Sequence, residues 1–183
     1  FGTEQAPVMA ALLDLAAQQQ PDLVVLSGDI TQRARAAQFQ AARAFMDRLG
    51  APLLAVPGNH DIALFDLWTR LTRPYAHHRA AFGDDLEPVF ATPGLMVLAV
   101  NTTRAHRHQN GEVSAPQIER VAQRLALATR QLVDRQANAL AAARLSGPQR
   151  VIEAKQQLLV AEVRALDGAM KRFKGDALQK YDR

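Results

Sequence analysis

Two short apolar runs, each stopped by glycine and a carboxylate, constrain this chain more than any other feature. The first reads Asp22-Leu23-Val24-Val25-Leu26-Ser27-Gly28-Asp29; the second, thirty residues on, reads Pro52-Leu53-Leu54-Ala55-Val56-Pro57-Gly58-Asn59-His60-Asp61. Apolar runs of this length bounded by Pro and Gly read as buried strands. Between them, Ala34 to Gly50 repeats apolar residues at helical spacing (Ala34, Ala37, Ala41, Ala44, Phe45, Leu49), with Arg35, Gln38, Arg43 and Asp47 set between. Strand, helix, strand is a crossover, and a crossover favours parallel strands. Parallel strands send their C-terminal loops to one rim, where α/β proteins bind ligands. Asp29, Asn59 and His60 are therefore expected together on that rim, and hard oxygen and nitrogen donors gathered there suit a divalent cation.

Length and composition set the outer limits. A chain of 183 residues, 48% hydrophobic, can build one full core and a small appendage. No apolar run approaches the roughly eighteen residues of a membrane span, so a soluble protein is expected. The absence of cysteine excludes disulfides, thiolate zinc sites and cysteine nucleophiles. It also permits a reducing compartment, and a cytoplasmic location is expected.

Charge divides the chain in two. Residues 1–126 hold 11 arginines, no lysine and 12 acids, a net charge of −1, whereas residues 127–183 hold 11 basic residues and 6 acids, a net charge of +5. The expected domains are accordingly 1–126, an α/β domain, and 127–183, a basic helical extension. The near-neutral first part is no nucleic-acid surface, while the basic tail is suited to weak contact with phosphates.

Gly28-Asp29 followed thirty residues later by Gly58-Asn59-His60-Asp61, each closing a strand, resembles the calcineurin-like metallophosphoesterases over residues 1 to about 125. The resemblance implies a partial metallophosphoesterase-type α/β fold, a parallel or mixed sheet with flanking helices, here followed by an α-helical hairpin-like tail. It implies two divalent metal ions of the Mn, Fe or Zn class and hydrolysis of a small-molecule phosphate ester, a phosphodiester or cyclic nucleotide. Two cations about 3.5 to 4 Å apart neutralise the oxygens that shield phosphorus and supply hydroxide at neutral pH. By resemblance Asp29 bridges both cations and Asn59 binds one through its amide oxygen. His60 then reaches the departing oxygen of the substrate, and Asp61 accepts from the other ring nitrogen and fixes its tautomer. In such proteins the first strand ends in Asp-x-His, and Phe1-Gly2 resembles the residues just after it. The first strand and two ligands are thus expected ahead of Phe1, leaving half a site here and a truncated chain that is inactive without them.

The rest of the chain reads mainly as helix. Ala6 to Gln20 carries an apolar stripe of Val8, Leu12, Leu15 and Ala16. Ile62 to Leu71 carries Leu64, Leu67, Trp68 and Leu71, with Trp68 expected in the core. Tyr75 to Phe82 is a short helix whose adjacent His77 and His78 point about 100 degrees apart, so they are expected at the surface or behind the site. Val89 to Ala91 and Leu95 to Val100 flank Thr92-Pro93-Gly94 as a hairpin. His106 and His108 follow on one face of an extended segment but lack the glycine of the family's later histidine motif.

Ser114 is expected to cap a helix with Ile118, Val121, Ala122 and Leu125 buried. Ser146-Gly147-Pro148 should divide the tail into two helices. In the second, Leu159, Val163, Leu166, Met170 and Phe173 keep heptad spacing. They make coiled-coil self-association through residues 149–174 an expectation beside simple hairpin packing. A non-catalytic scaffold, using this tail to bind protein or nucleic acid, is the alternative function.

Overall fold

The computed structural model describes residues 1–183 apart from 65, 108, 109, 147, 148, 182 and 183; within the last two helices, the side chains of 143–146, 150–152, 166, 170 and 173–181 are also left undescribed. The chain is mixed α/β with a C-terminal helical region. Its contacts divide it into two compact units, Phe1–Glu112 and Val113–Arg183.

In the first unit, helix α1 (Ala6–Gln19) leads to strand β1 (Val24–Ser27), helix α2 (Ala36–Asp47) and strand β2 (Leu53–Val56). β1 and β2 pair in parallel, Val24 opposite Leu53 and Ser27 opposite Val56, as the crossover required. A single 3-10 turn, Asn59–Asp61, follows β2, and then come α3 (Leu67–Thr72), α4 (Ala76–Phe82), β3 (Val89–Ala91) and β4 (Met96–Leu98). β3 and β4 form the expected antiparallel hairpin, Val89 opposite Leu98. Among the described residues they make a two-stranded sheet separate from that of β1 and β2.

The core sits where α2 meets the strand pair and α4. Ile30, Ala42 and Ala55 form a buried cluster, with Phe1, Leu26 and Phe82 packed against it. Four details differ from the sequence expectation. The buried face of α2 is Phe39, Ala42, Phe45 and Met46, a different face from the alanine-rich stripe, because a large ring gains far more on burial than a methyl group. β1 is half-buried in alternation, with Val25 exposed, because a sheet of two strands leaves one face of β1 open. The apolar stripe of α1 is likewise exposed at Val8, Leu12 and Leu15.

Trp68 provides the fourth difference, being 74% exposed rather than in the core. Asp66 starts α3 at Leu67 by accepting from Thr69 N at 3.0 Å and Thr69 Oγ1 at 2.6 Å, a cap that turns Arg70 inward and Leu67, Trp68 and Leu71 outward. His78, expected at the surface or behind the site, is fully buried against Phe39 and Phe82, its ring centroid 6.0 Å and 5.3 Å from theirs.

The second unit consists of α5 (Ala115–Ser146) and α6 (Gln149–Tyr181), packed against each other as the expected helical pair. Gln117 reaches back from the third helical residue to accept from Ser114 N at 2.8 Å, which closes the N-terminus at the predicted serine. Gln136 Nε2 donates to Glu162 Oε2 across the pair at 3.4 Å. The Gly147-Pro148 break, and the seam side chains of Leu166, Met170 and Phe173, lie outside the described residues.

Among the described residues, neither ring nitrogen of His78 has a hydrogen-bond partner. Burial pushes its pKa below the ordinary value, against the attraction of Asp61 and together with the repulsion of Arg79. A neutral buried histidine is uncharged in both states above about pH 6.5. As pH falls through that value the unfolded chain binds the proton first, so stability is fully present above it and lost on acidification. We predict that urea midpoints fall as pH drops from 7 to 5, by at most about 1.4 kcal/mol per pH unit for this one proton. His78→Leu should flatten that slope and raise stability at pH 7, because an orphaned buried polar group is replaced by an apolar one.

Candidate functional site

Because β1 and β2 run parallel and in register, the chain leaves both at the same edge of the sheet. The loops after them touch backbone to backbone. A methyl group on Gly28 would meet Gly58 Cα at 3.1 Å, and one on Gly58 would fall on the amide nitrogen and Oδ1 of Asp29. Only glycine fits these two positions. Gly28 also has φ +100°, and Asp29 follows it into the left-handed region at φ +49°. For a residue with a side chain that conformation costs on the order of 1 kcal/mol or more and persists only where its surroundings fix it.

Asp61 is what fixes them. Its carboxylate is buried and accepts four hydrogen bonds: Ile30 N at 3.1 Å, Thr31 N at 2.7 Å, Thr31 Oγ1 at 2.8 Å and Gly58 N at 2.8 Å. Three of these come from the loop after β1 and one from the loop after β2. The side chain expected to orient His60 is therefore committed to backbone. His60 instead has Nδ1 3.3 Å from the carbonyl oxygen of Gln32. A carbonyl only accepts, so Nδ1 is the donor in this contact.

Asp29 and Asn59, thirty residues apart in sequence, line one cavity of about 290 Å³ with Gly28, Gly58 and residues 102–104, 107, 110 and 111. Asp29 Oδ1 accepts from His60 N at 3.1 Å. Its Oδ2 and the Asn59 side-chain amide make no hydrogen bond among the described residues. The imidazole of His60 lines a neighbouring cavity of about 760 Å³ with Arg33, Arg35 and His77, and Asn59 belongs to both cavities. His106 is exposed and outside the first cavity; His108 lies outside the described residues.

A carboxylate oxygen and an amide oxygen without other partners have the chemistry of ligands to a hard divalent cation. They fit such an ion as two of the about four to six ligands it takes. Among the described residues, no group of three or more His, Cys, Asp or Glu converges to complete the set. The cavity also holds two groups that the sequence reading did not place in the site, Arg104 and Arg107. Their position at the end of a strand-like run is the signal that would have found them.

The aspartate and the asparagine thus meet at the carboxyl ends of a parallel strand pair, where α/β proteins bind ligands. Residues 2–127 match the family model described as Calcineurin-like phosphoesterase. This chain belongs to that family. It is 31% identical over 124 residues to a probable cyclic nucleotide phosphodiesterase of Synechococcus sp., which covers 68% of this chain and 45% of that protein. It is 49% identical over 43 residues to the glycerophosphodiester phosphodiesterase GpdQ of Enterobacter lignolyticus, 24% of this chain and 16% of that protein. The chain thus spans less than half the length of the curated relatives it matches. Among the described residues, no helix is long and apolar enough to cross a membrane.

Asp61→Asn replaces an acceptor with an NH₂ group that faces the same backbone donors, and should lower stability in urea by about 3 kcal/mol or more. Exposed His60→Gln should leave the urea midpoint within about 0.5 kcal/mol of the parent. Equal losses from the two substitutions would contradict this division.

Proposed function

We propose that this chain carries the cation-binding edge of a metal-dependent phosphodiesterase. One observation carries the reading: Asp29 and Asn59 share a cavity, and among the described residues Asp29 Oδ2 and the Asn59 amide oxygen have no hydrogen-bond partner. Asp29 through its carboxylate and Asn59 through an uncharged amide oxygen would hold cations of the Mn, Fe or Zn class. When bound, such cations neutralise phosphate oxygens and lower the pKa of bound water.

The protein's own groups do the rest. Asn59 spans both cavities, so a phosphodiester held beside it extends one substituent towards His60. The His60 ring, with Nδ1 facing the Gln32 carbonyl, leaves Nε2 to exchange a proton with the leaving oxygen. Asp61 acts on the reaction only through position, holding Gly58 and the Ile30-Thr31 segment in place. The names of the two relatives support a phosphodiester as substrate, a cyclic nucleotide or a glycerophosphodiester.

We also propose self-association through residues 149–174, favoured by the heptad spacing of Leu159 and Val163, and weak phosphate contact by the basic residues 127–183. Sedimentation over a concentration series should show a dimer that Leu159→Asp abolishes.

The experiment that tests the catalytic reading is hydrolysis of bis-p-nitrophenyl phosphate with added manganese. Asp29→Ala should reduce kcat/KM at least a hundredfold, and Asn59→Ala about tenfold or more, by loss of ligands. Absence of metal-stimulated turnover in a chain extended to the full length of the relatives would overturn it.

A further inference from the structure

Loop residues 102–104, 107, 110 and 111 line the cavity, yet the reading above leaves this loop without a task. It closes on itself through Glu112 N donating to Thr102 O at 2.8 Å, and it contains a tight turn in which Arg107 N donates to Arg104 O at 3.1 Å. Side chains from α3 and α4 pin it from beneath. Buried Arg70 donates from Nη2 to the Arg107 carbonyl at 3.0 Å and from Nη1 to the Ala63 carbonyl at 3.2 Å. The Tyr75 hydroxyl donates to the Thr103 carbonyl at 3.2 Å, and buried Asn101 accepts through Oδ1 from Thr103 N at 3.0 Å. A loop held this way presents its side chains in fixed positions, and preorganisation is what turns contacts into affinity.

What it presents to the cavity is positive charge. Arg104 and Arg107, at the two ends of the turn, line the same space as Asp29 and Asn59. Glu112 stands against both, with Oε2 3.2 Å from Arg107 Nη2 and Oε1 3.9 Å from Arg104 Nε. The Arg107 side chain is 49% exposed, so its guanidinium exchanges partners without leaving a dry environment. The planar fork of a guanidinium matches the two oxygens of a carboxylate or phosphate.

We propose that this loop is an anion subsite of the phosphoester cavity. Arg107, flanked by Arg104, receives a second negatively charged group of the substrate, and Glu112 is the internal carboxylate which that group displaces. The preferred substrates are then phosphodiesters that carry a further phosphate or carboxylate. A neutral substituent leaves the Arg107–Glu112 pair intact and gains nothing from the loop. This deepens the phosphodiesterase reading and rests on it for the reacting phosphate.

The test is calorimetric binding of pyrophosphate and of inorganic phosphate to the full chain in chelator, where no hydrolysis is needed. It therefore fails or succeeds independently of catalysis. Pyrophosphate should bind more tightly than phosphate. Arg107→Gln should weaken pyrophosphate and phosphate alike by about tenfold, the worth of a charge-assisted contact, because without cations the arginines are where either anion binds. Glu112→Gln should tighten pyrophosphate severalfold by removing the competitor, an outcome that a merely structural role for the pair would not give. Three results would overturn the proposal: no pyrophosphate binding in the parent, unchanged binding in Arg107→Gln, or unchanged or weaker binding in Glu112→Gln. With manganese present, a phosphodiester bearing a carboxylate should be preferred over its amide in the parent and not in Arg107→Gln.

Discussion

The buried carboxylate of Asp61 is the interaction on which the site depends. Two paired strands of four residues each cannot by themselves hold the loops that leave them. Asp61 cross-links those loops instead, collecting Ile30 N, Thr31 N and Thr31 Oγ1 from one and Gly58 N from the other. Bonds to a charged acceptor are each worth roughly 1.5–3 kcal/mol net, enough together to hold Asp29 in its left-handed conformation. The influence extends further along the chain, because Thr31 Oγ1 also accepts from Ala34 N at 3.1 Å. The turn that leads into α2 is set by the same group.

This arrangement separates structure from chemistry within four consecutive residues. Gly58 supplies close approach, Asn59 faces both cavities, His60 turns its ring to the Gln32 carbonyl, and Asp61 takes the backbone donors. The 3-10 turn explains how neighbours diverge so sharply, since about 120 degrees separate successive side chains at three residues per turn. Because Asp61 absorbs the amides of the loop, Asp29 and Asn59 keep oxygens in the cavity that no other described group claims. A carboxylate with a free oxygen and an amide beside it are what a hard cation takes from such an edge.

How much of this was legible in the sequence depended on whether large or polar side chains decided the matter. The strand ends were legible because Gly28, Gly58 and the apolar runs before them are local signals, and the parallel pairing followed from the helix between. The family, and its extent to about residue 125, followed from the same residues. The inward face of α2 was not legible by counting apolar positions, since its alanines look as apolar as Phe39 while burying far less surface. Trp68 and His78 exchanged their expected places: the inward position of α3 went to Arg70, and α4 turned His78 into the aromatic group formed by Phe39 and Phe82. The contact expected between Asp61 and His60 failed because the unpaired amides across the strand gap, invisible in sequence, are stronger claimants for a buried carboxylate.

Arg70 makes the final connection. Burying a guanidinium is costly unless its donors are satisfied, and here they meet the carbonyls of Ala63 and Arg107. The first lies two residues beyond Asp61 and the second lies in the loop that carries Arg104. One side chain thus ties the segment after the Asn59–Asp61 turn to the arginine-bearing loop of the same cavity. This accounts for why α3 leaves Leu67, Trp68 and Leu71 in solvent: six residues form under two turns, enough for one inward position, and that position serves the loop. The two ends of the cavity, carboxylate and amide oxygens on one set of loops and guanidinium groups on the other, are therefore held by a buried carboxylate that takes three backbone amides and the Thr31 hydroxyl and a buried guanidinium that meets backbone carbonyls.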